Sequence, residues 1–195
     1  MTRRPDSAPV SITAARRDDL SAVLALERAG FPAAEQWSER SWIGELLGEG
    51  RTVLLARAEQ VVGIIALRTT GELADLHRLV VAPGRRRTGV GAALTRAGLD
   101  AVRLLGAQAV VLEVDYANEP AIALYQRMGF EQLTVRRSYY GPGRDALILK
   151  LYDLPGWPAR LAAQVREEEQ ERHEAETRLL PVEPDRPFRP NEEQP

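Results

Sequence analysis

An arginine- and glycine-rich turn is the segment of this sequence best suited to bind a phosphate. Residues 80–91 read Val-Val-Ala-Pro-Gly-Arg-Arg-Arg-Thr-Gly-Val-Gly and join an apolar predicted strand to an amphipathic predicted helix. Glycines let a backbone approach a phosphate closely, and the free N–H groups and dipole at the start of a helix favour an anion. Arginines add bidentate donors for phosphate oxygens. The segment therefore predicts a cradle for a pyrophosphate group.

Two common nucleotide-binding patterns fail in this turn. Gly84 and Gly89 have the spacing of a P-loop, but valine and glycine stand where its lysine and hydroxyl residue belong, which argues against a nucleoside triphosphatase. The dinucleotide-binding pattern also fails, because Leu94 occupies its third glycine position. The pattern that remains is Arg86-x-x-Gly89-x-Gly91. On this motif alone, a glycine-rich turn with a solvated basic cluster is the alternative.

A second block of sequence places a carboxylate, an amide and a phenol at fixed spacing. Residues 108–114 form a nearly continuous apolar run, which predicts a strand buried on both faces. Glu113 stands near the end of that strand, and carboxylates are rarely buried unless they are paired or used. Asn118 can cap the next predicted helix, which carries Tyr125. The block therefore supplies candidate groups for proton transfer and hydrogen bonding.

The two blocks together resemble the GNAT superfamily of N-acetyltransferases, whose acetyl-coenzyme A loop reads Gln/Arg-x-x-Gly-x-Gly/Ala. Over residues 10–152 the sequence is similar to one branch, the bacterial ribosomal-protein-alanine N-acetyltransferases (RimI). The likeness is carried by Phe31-Pro32 with Trp37-Ser38-Glu39, by Leu112-Glu113-Val114 with Asn118-x-x-Ala121-Ile122-Ala123-Leu124-Tyr125, and by Arg136-Arg137-x-Tyr139-Tyr140 with Asp145-Ala146-Leu147-Ile148. One position departs: family members usually carry arginine after Leu-Glu-Val, and this chain carries Asp115.

The resemblance implies that an amine attacks the thioester carbonyl of acetyl-coenzyme A directly. Glu113 is then the general base, acting through a water, and Tyr125 is the acid that returns a proton to the departing thiolate. Asn118 is expected to hydrogen-bond the pantetheine arm. Backbone N–H groups around Leu79–Val81, where the family's strand bulges and splays, are expected to hold the oxyanion. The residues alone also allow a solvated or arginine-paired Glu113 and a Tyr125 that only packs in the core.

The expected contacts to acetyl-coenzyme A come from the end of a strand, the turn, the start of the helix and the asparagine cap. They are Leu79, Val80, Val81, Arg86, Arg87, Thr88, Gly89, Val90, Gly91, Ala92 and Asn118. No metal is expected, because the chain has no cysteine and its two histidines are far apart. His77 is expected to be a structural or rim residue rather than a catalyst.

On the acceptor side, Trp37, Asp115 and Tyr139 are the expected substrate-binding residues, with Tyr140 beside Tyr139; ordinary loop packing is the alternative for the aromatic residues. The family branch acetylates the N-terminal alanine of a small-subunit ribosomal protein with a basic tip, so a protein N-terminus is the expected partner. Two alternatives stay open, a GNAT enzyme for a small-molecule amine and a non-catalytic coenzyme-A-binding or interaction module. The carboxylates expected to form a negative rim for a basic acceptor are Glu35, Glu39, Asp115 and Glu119.

The composition is that of an ordinary soluble enzyme. The chain has 195 residues, of which 44% are hydrophobic, and a formal net charge of −2. We therefore expect no strong attraction to nucleic acid or to a membrane, and a monomer or weak dimer. The absence of cysteine excludes disulfides and thiolate catalysis. The first residues lack the apolar segment of a signal peptide, so we expect the protein in the cytoplasm.

Apolar periodicity and capping residues predict an α/β (α+β) architecture. Antiparallel strands come first and a β-α-β-α-β run follows, which predicts a mixed central sheet of about seven strands with helices on both faces. The resemblance makes this the GNAT fold. We expect a flexible lead at residues 1–9, the acetyltransferase domain at 10–152 and an extension at 153–195. The extension is expected to be helical over about 159–180 and then proline-rich and disordered.

Overall fold

A seven-stranded sheet organises the first part of the chain. The structure, a computed structural model, describes residues 9–178. The expected flexible lead, apart from residue 9, and the proline-rich segment after residue 180 lie outside the described residues. In chain order the elements are β1 (Ser11–Ala14), α1 (Leu20–Gly30), α2 (Glu39–Leu47), β2 (Arg51–Arg57), β3 (Val61–Thr70), β4 (Leu73–Val81), α3 (Val90–Leu104), β5 (Ala109–Asp115), α4 (Glu119–Arg127), β6 (Glu131–Arg136), β7 (Ala146–Leu151) and α5 (Trp157–Arg178).

The sheet is mixed. Its strand order is β1-β2-β3-β4-β5-β7-β6, and every neighbouring pair is antiparallel except β4 and β5. A parallel pair needs a crossover connection, and α3 supplies it. The predicted α/β fold, with a mixed sheet of about seven strands, is confirmed.

Helices cover both faces of the sheet, because β3 is apolar on both sides. Ile64 and Ala66 belong to a buried cluster with Leu26 of α1 and Trp42 of α2. The alternate side chains of β3 pack against α3, where Gly98 leaves them room. The sheet is therefore the middle layer of three, and the site described below lies at the ends of its central strands.

The central strands β4 and β5 separate after a short parallel ladder. In the described part of the chain they pair only along Leu73–Leu76 and Ala109–Leu112. β4 bulges at His77, which has no partner in the register with β3. The sequence places the bulge around Leu79–Val81, but it begins earlier, because the extra residue lets both His77 and Arg78 reach carboxylates on the α1 and α2 side. The gap between the strands opens beyond this bulge.

Only one face of β5 is buried. Val110, Leu112 and Val114 are buried, whereas the alternate side chain of Glu113 is exposed. The expectation that this strand is buried on both faces is therefore wrong. α1 and α2 pack over β2, β3 and β4, so the face of β5 that carries Glu113 lies beyond the helices that would cover it. This leaves Glu113 accessible to a molecule that enters from solvent.

Local capping signals fix the two helices that flank the site. Ser38 Oγ accepts a hydrogen bond from Ser41 N (3.1 Å) at the start of α2, and Asn118 Oδ1 accepts one from Ala121 N (3.3 Å) at the start of α4. Gly129 ends α4 with a φ of 88°. These caps form as the sequence predicts, because each depends only on neighbours along the chain.

The chain divides into two compact units, residues 1–158 and 159–195. In the first unit, Trp157 is buried and its indole N–H donates to Met128 O, just after α4 (2.7 Å). In the second unit, α5 is supported by polar pairs one turn apart, such as Gln164 Nε2 donating to Glu168 Oε1 (3.1 Å). No helix within residues 9–178 is long and apolar enough to cross a bilayer.

Candidate active site

A cleft of about 620 Å³ opens between the end of β4, the turn before α3, and α4. Its size is that of a typical small-molecule site. Every residue expected to contact acetyl-coenzyme A lines this cleft except Thr88 and Val90. The lining consists of Gly30, Phe31, Leu79, Val80, Val81, Arg86, Arg87, Gly89, Gly91, Ala92, Asn118, Pro120, Ala121, Leu124 and Arg127.

The N-terminus of α3 meets this cleft and presents free backbone donors. The first intrahelical hydrogen bond is donated by Ala93 N to Gly89 O (2.9 Å). The N–H groups of Val90, Gly91 and Ala92 therefore have no acceptor within the helix. Gly89 has a φ of 88°, a conformation that glycine adopts at no steric cost. Free N–H groups and a helix dipole together suit an anion such as phosphate.

Gly91 keeps the cleft open beside these donors. A Cβ at this position would lie 3.4 Å from Leu124 Cδ2 and 3.7 Å from Val81 Cγ2. It would therefore stand in the gap between β4 and α4, which a pyrophosphate needs in order to reach the helix N-terminus. The cleft thus has both the space and the hydrogen-bond donors that the phosphates of acetyl-coenzyme A need.

The side chains of the turn divide into those that fix it and those that face the cleft. Arg86 Nε donates to the carbonyl of the last residue of β4 (3.1 Å), and its Nη2 lies 3.4 Å from Gly30 O. Thr88 Oγ1 donates to Arg85 O (2.7 Å) and holds the turn closed. Arg87 adopts a φ of 64° and lines the cleft. The predicted arginine cluster is therefore partly a scaffold for the turn.

The α4 side of the cleft contains residues that the sequence analysis did not select. Pro120, Leu124 and Arg127 recur at helical spacing and line the cleft together. Arg127 adds a cation to a cleft whose other arginines come from the turn. The signal was present in the sequence, because residues three and four apart on a helix share one face.

Glu113 lies beside a second titratable group, Tyr140. The Glu113 side chain is 38% exposed, and its Oε1 is 4.0 Å from Arg136 Nη1. Burial, and then the neighbouring Tyr139, Glu113 and Asp115, raise the pKa of Tyr140 to about 12. The charge of the candidate base thus acts on Tyr140, which the sequence predicts only as part of the acceptor wall.

Tyr125 is buried and packs edge to face on Phe130, with ring centroids 5.6 Å apart. Burial, and then the Tyr140 hydroxyl, raise the pKa of the Tyr125 phenol above its ordinary value of 10.0. The phenol therefore keeps its proton at neutral pH. Such a group donates a hydrogen bond readily and gives up its proton reluctantly.

A buried ion pair that the sequence analysis missed holds the loop after α1 against the sheet. Glu27 is 1% exposed and pairs with Arg78 of β4, and its Oε1 also accepts a hydrogen bond from Trp37 N (2.8 Å). The Arg78 guanidinium donates to Glu35 O (2.7 Å) and lies 3.5 Å from the centre of the Phe31 ring. Glu27 shares the apolar stripe of α1, which was the only sequence signal for this pair.

Trp37 and His77 take part in packing near this ion pair. The Trp37 ring lies 5.1 Å from that of Trp42 and meets the His77 ring edge on at 6.4 Å. His77 Nδ1 is 3.0 Å from Glu45 Oε1 and 2.9 Å from Arg51 Nη1. The structure therefore places His77 in a polar contact with α2 and β2.

The expected negative rim is partly neutralised. Arg144 Nη1 donates to Glu35 Oε1 (2.7 Å), and Arg144 Nη2 and Nε donate to Asp115 Oδ2 (2.5 and 3.1 Å). Burial would raise the pKa of Asp115, but hydrogen bonds from Ala117 N–H and Arg144 outweigh it and lower that pKa. Two of the four predicted rim carboxylates thus share one guanidinium.

The comparisons with known proteins agree with this geometry. The acetyltransferase (GNAT) family matches residues 17–130. The chain is 31% identical over 144 residues to the [ribosomal protein bS18]-alanine N-acetyltransferase of Escherichia coli K12, covering 68% of this chain and 97% of that protein. It is 30% identical over 151 residues to the N-alpha-acetyltransferase RimI of Mycobacterium tuberculosis, covering 74% and 94%.

A solved structure extends the likeness to the fold. The crystal structure of the ribosomal-protein-S18-alanine N-acetyltransferase from Escherichia coli superposes with a TM-score of 0.68 at 28% identity, over 74% of this chain and 94% of that chain. The similarity to RimI enzymes is thereby confirmed, and the family match spans the phosphate cradle and α4. Within residues 9–178 no cluster of acidic or histidine side chains is arranged to hold a metal. The chain belongs to the acetyltransferase (GNAT) family, and it is an N-acetyltransferase that uses acetyl-coenzyme A.

Proposed function

We propose that this protein is an N-α-acetyltransferase that acetylates a protein N-terminus, with alanine as the first residue. The observation that carries the proposal is the course of the cleft. It has a phosphate cradle at α3 and is lined by Leu79–Val81, the part of β4 that lies beyond the ladder with β5, and Glu113 is exposed on β5 one residue beyond the end of the same ladder. The relatives named for the alanine of ribosomal protein bS18 support this acceptor. A small-subunit ribosomal protein is therefore the proposed partner, and the cytoplasm the proposed location.

The cleft residues divide the binding of acetyl-coenzyme A between them. Arg87 and Arg127 attract the phosphates, and the free N–H groups at residues 90–92 hold the pyrophosphate. Asn118 holds the pantetheine arm. Leu79–Val81 pair with β3 on one side, and the backbone N–H groups among them that point away from β3 lie along the opened edge of β4 and serve the carbonyl oxygen as negative charge develops on it.

Glu113 acts as the base for the incoming amine. An α-amino group has a pKa of about 7.7–8.0, so much of the acceptor is protonated at neutral pH and a weak base suffices. The protonated amine gives one proton to Glu113 through a water, and the neutral nitrogen then bonds the carbonyl carbon. The nitrogen of the tetrahedral intermediate loses its second proton to water as the carbon–sulfur bond breaks, which leaves the amide and the thiolate. The exposure of Glu113 supports this role, because the acceptor and a water both need access to it.

Tyr125 stabilises the sulfur that leaves. A thiol has a pKa of about 8.5, whereas the buried phenol has a pKa above 10.0. Complete proton transfer from this phenol to the thiolate is uphill by at least about 2 kcal/mol. We therefore assign Tyr125 the donation of a hydrogen bond to the thiolate as it forms, with final protonation drawn from solvent. This refines the role of full acid that the resemblance implies.

The acceptor class is tested by the release of free coenzyme A with two panels of amines. The proposal expects turnover with peptides that begin with alanine, and loss of turnover when the peptide N-terminus is blocked. The same mixtures without enzyme serve as the control for uncatalysed acetylation. Turnover with small polyamines and none with any peptide would contradict the proposal and favour the small-molecule alternative.

A further inference from the structure

One guanidinium ties together three segments at the acceptor side of the site. Arg144 lies between β6 and β7, Glu35 lies between α1 and α2, and Asp115 ends β5. The two carboxylates are 109 and 29 residues from Arg144 along the chain, and each makes a direct hydrogen bond to it. We name Glu35, Asp115 and Arg144 the Arg144 cluster.

The cluster leaves neither carboxylate free. Arg144 uses Nη1 for Glu35 and both Nη2 and Nε for Asp115, while the second oxygen of Asp115 accepts from Ala117 N (2.9 Å). Two carboxylates and one guanidinium carry a net charge of −1, whereas the carboxylates alone would carry −2. A cationic acceptor side chain must therefore compete with Arg144 for the oxygens that it holds, Glu35 Oε1 and Asp115 Oδ2.

The cluster also borders the reacting groups. Tyr140 N donates to Arg144 O (3.1 Å), and the Arg144 guanidinium lies 5.6 Å from the centre of the Tyr140 ring. Asp115 follows Glu113 by two residues on β5, so the two side chains lie on the same face of that strand. An acceptor whose amine reaches Glu113 thus passes the Arg144 cluster with its next side chains.

We infer that Arg144 determines acceptor specificity: it masks Glu35 and Asp115, so that the wild-type enzyme does not favour a basic residue after the N-terminal alanine. This inference rests on the proposed function, because it concerns a peptide acceptor. It reverses the expectation from sequence alone, in which the same carboxylates form a rim that selects basic tips. Asp115, the residue that departs from the family pattern, supplies the stronger of the two anchors for Arg144.

The test compares two peptides that differ only at the second residue, Ala-Arg and Ala-Ala. We expect the wild-type ratio of kcat/KM, basic over neutral, to stay within about threefold of one. Arg144→Gln should raise this ratio about threefold to tenfold, mainly through KM, because it uncovers two carboxylates. Asp115→Asn should move the ratio in the opposite direction, because Arg144 then faces Glu35 alone. Arg144→Lys should restore the wild-type ratio only in part, since an ammonium cannot bridge both carboxylates in the same geometry.

Arg137→Gln is the matched control, because it removes an exposed arginine of the same connection that makes none of these ion pairs. Thermal melting reports whether each variant folds, and if Arg144→Gln does not, Asp115→Asn still decides the question. An unchanged ratio in folded Arg144→Gln and Asp115→Asn overturns the inference, as does a wild-type preference for the basic peptide of tenfold or more. Acetylation of neither peptide by the wild type overturns the proposed function, and this inference with it.

Discussion

Gly91→Val separates the binding of acetyl-coenzyme A from folding. Gly91 is the second residue of α3 and lies where the cleft meets the free N–H groups of the helix. Its Cβ would be 3.4 Å from Leu124 and 3.7 Å from Val81, so the added methyl groups occupy the approach of the pyrophosphate. The backbone at this position is helical and needs no glycine for its own sake.

The expected magnitudes follow from these contacts. Valine is slightly better than glycine in a helix, by a few tenths of a kcal/mol, and the close contact with Leu124 offsets this gain. We therefore expect the free energy of unfolding to change by less than about 1 kcal/mol. A hydrogen bond from backbone N–H to a charged phosphate contributes about 1.5–3 kcal/mol. Losing one such bond raises the dissociation constant of acetyl-coenzyme A about 10- to 100-fold.

Calorimetric titration with acetyl-coenzyme A, together with urea unfolding, measures both quantities. Gly44→Val is the matched control, because Gly44 is also helical and a Cβ there would have no atom within 4 Å. The control should bind acetyl-coenzyme A like the wild type. A folded Gly91→Val variant with unchanged affinity would refute the assignment of the cleft to the phosphates.

Four further predictions concern single residues. Tyr125→Phe removes one hydrogen-bond donor to the forming thiolate, so it should lower kcat by about 10²–10³ and leave acetyl-coenzyme A affinity near wild type in a binding assay. An unchanged kcat would reduce Tyr125 to packing. Glu113→Gln should slow acetylation most below pH 8 and approach wild type at higher pH, where free α-amine is plentiful; a rate deficit that does not vary with pH would mean that Glu113 is not the base. Arg78→Met should cost about 3–5 kcal/mol in urea unfolding, because it leaves the buried Glu27 carboxylate without its cation, and a cost below about 1 kcal/mol would show that the pair is not coupled. The pKa of Asp115 is lower in the folded protein than its ordinary value of 3.8, so ionised Asp115 stabilises the fold at neutral pH. This stabilisation is lost as pH falls from 3.8 through the pKa of the folded state. The difference in free energy of unfolding between wild type and Asp115→Asn should shrink over that pH range.

The features predicted well from the sequence are those set by neighbours along the chain. The glycine-rich turn and the start of α3 depend on residues 84–92, and the caps at Ser38 and Asn118 bond to residues three positions later. The hairpin of β2 and β3 and the crossover through α3 follow from apolar spacing and glycine positions. In each case the signal lies within a few residues of the feature that it predicts.

The features missed depend on contacts between distant segments. Glu27 and Arg78 are 51 residues apart, and each looks like an ordinary surface charge in its own segment. Arg144 pairs with Glu35 from 109 residues away, which changes part of the expected acidic rim into a cluster with a net charge of only −1. Glu113 is exposed because α1 and α2 do not extend over β5. The apolar residues of β5 cannot indicate how far those two helices extend.

Because the ladder between β4 and β5 is short, bound acetyl-coenzyme A should add to the stability of the fold. Beyond Leu76 and Leu112, these strands expose two unpaired edges inside the sheet, in the part of the chain that the structure describes. A ligand that fills this seam binds only the folded protein. It therefore shifts unfolding by mass action, by about 2.7 kcal/mol at a concentration 100 times its dissociation constant. The lifetime of this protein against proteolysis should accordingly rise and fall with the supply of acetyl-coenzyme A.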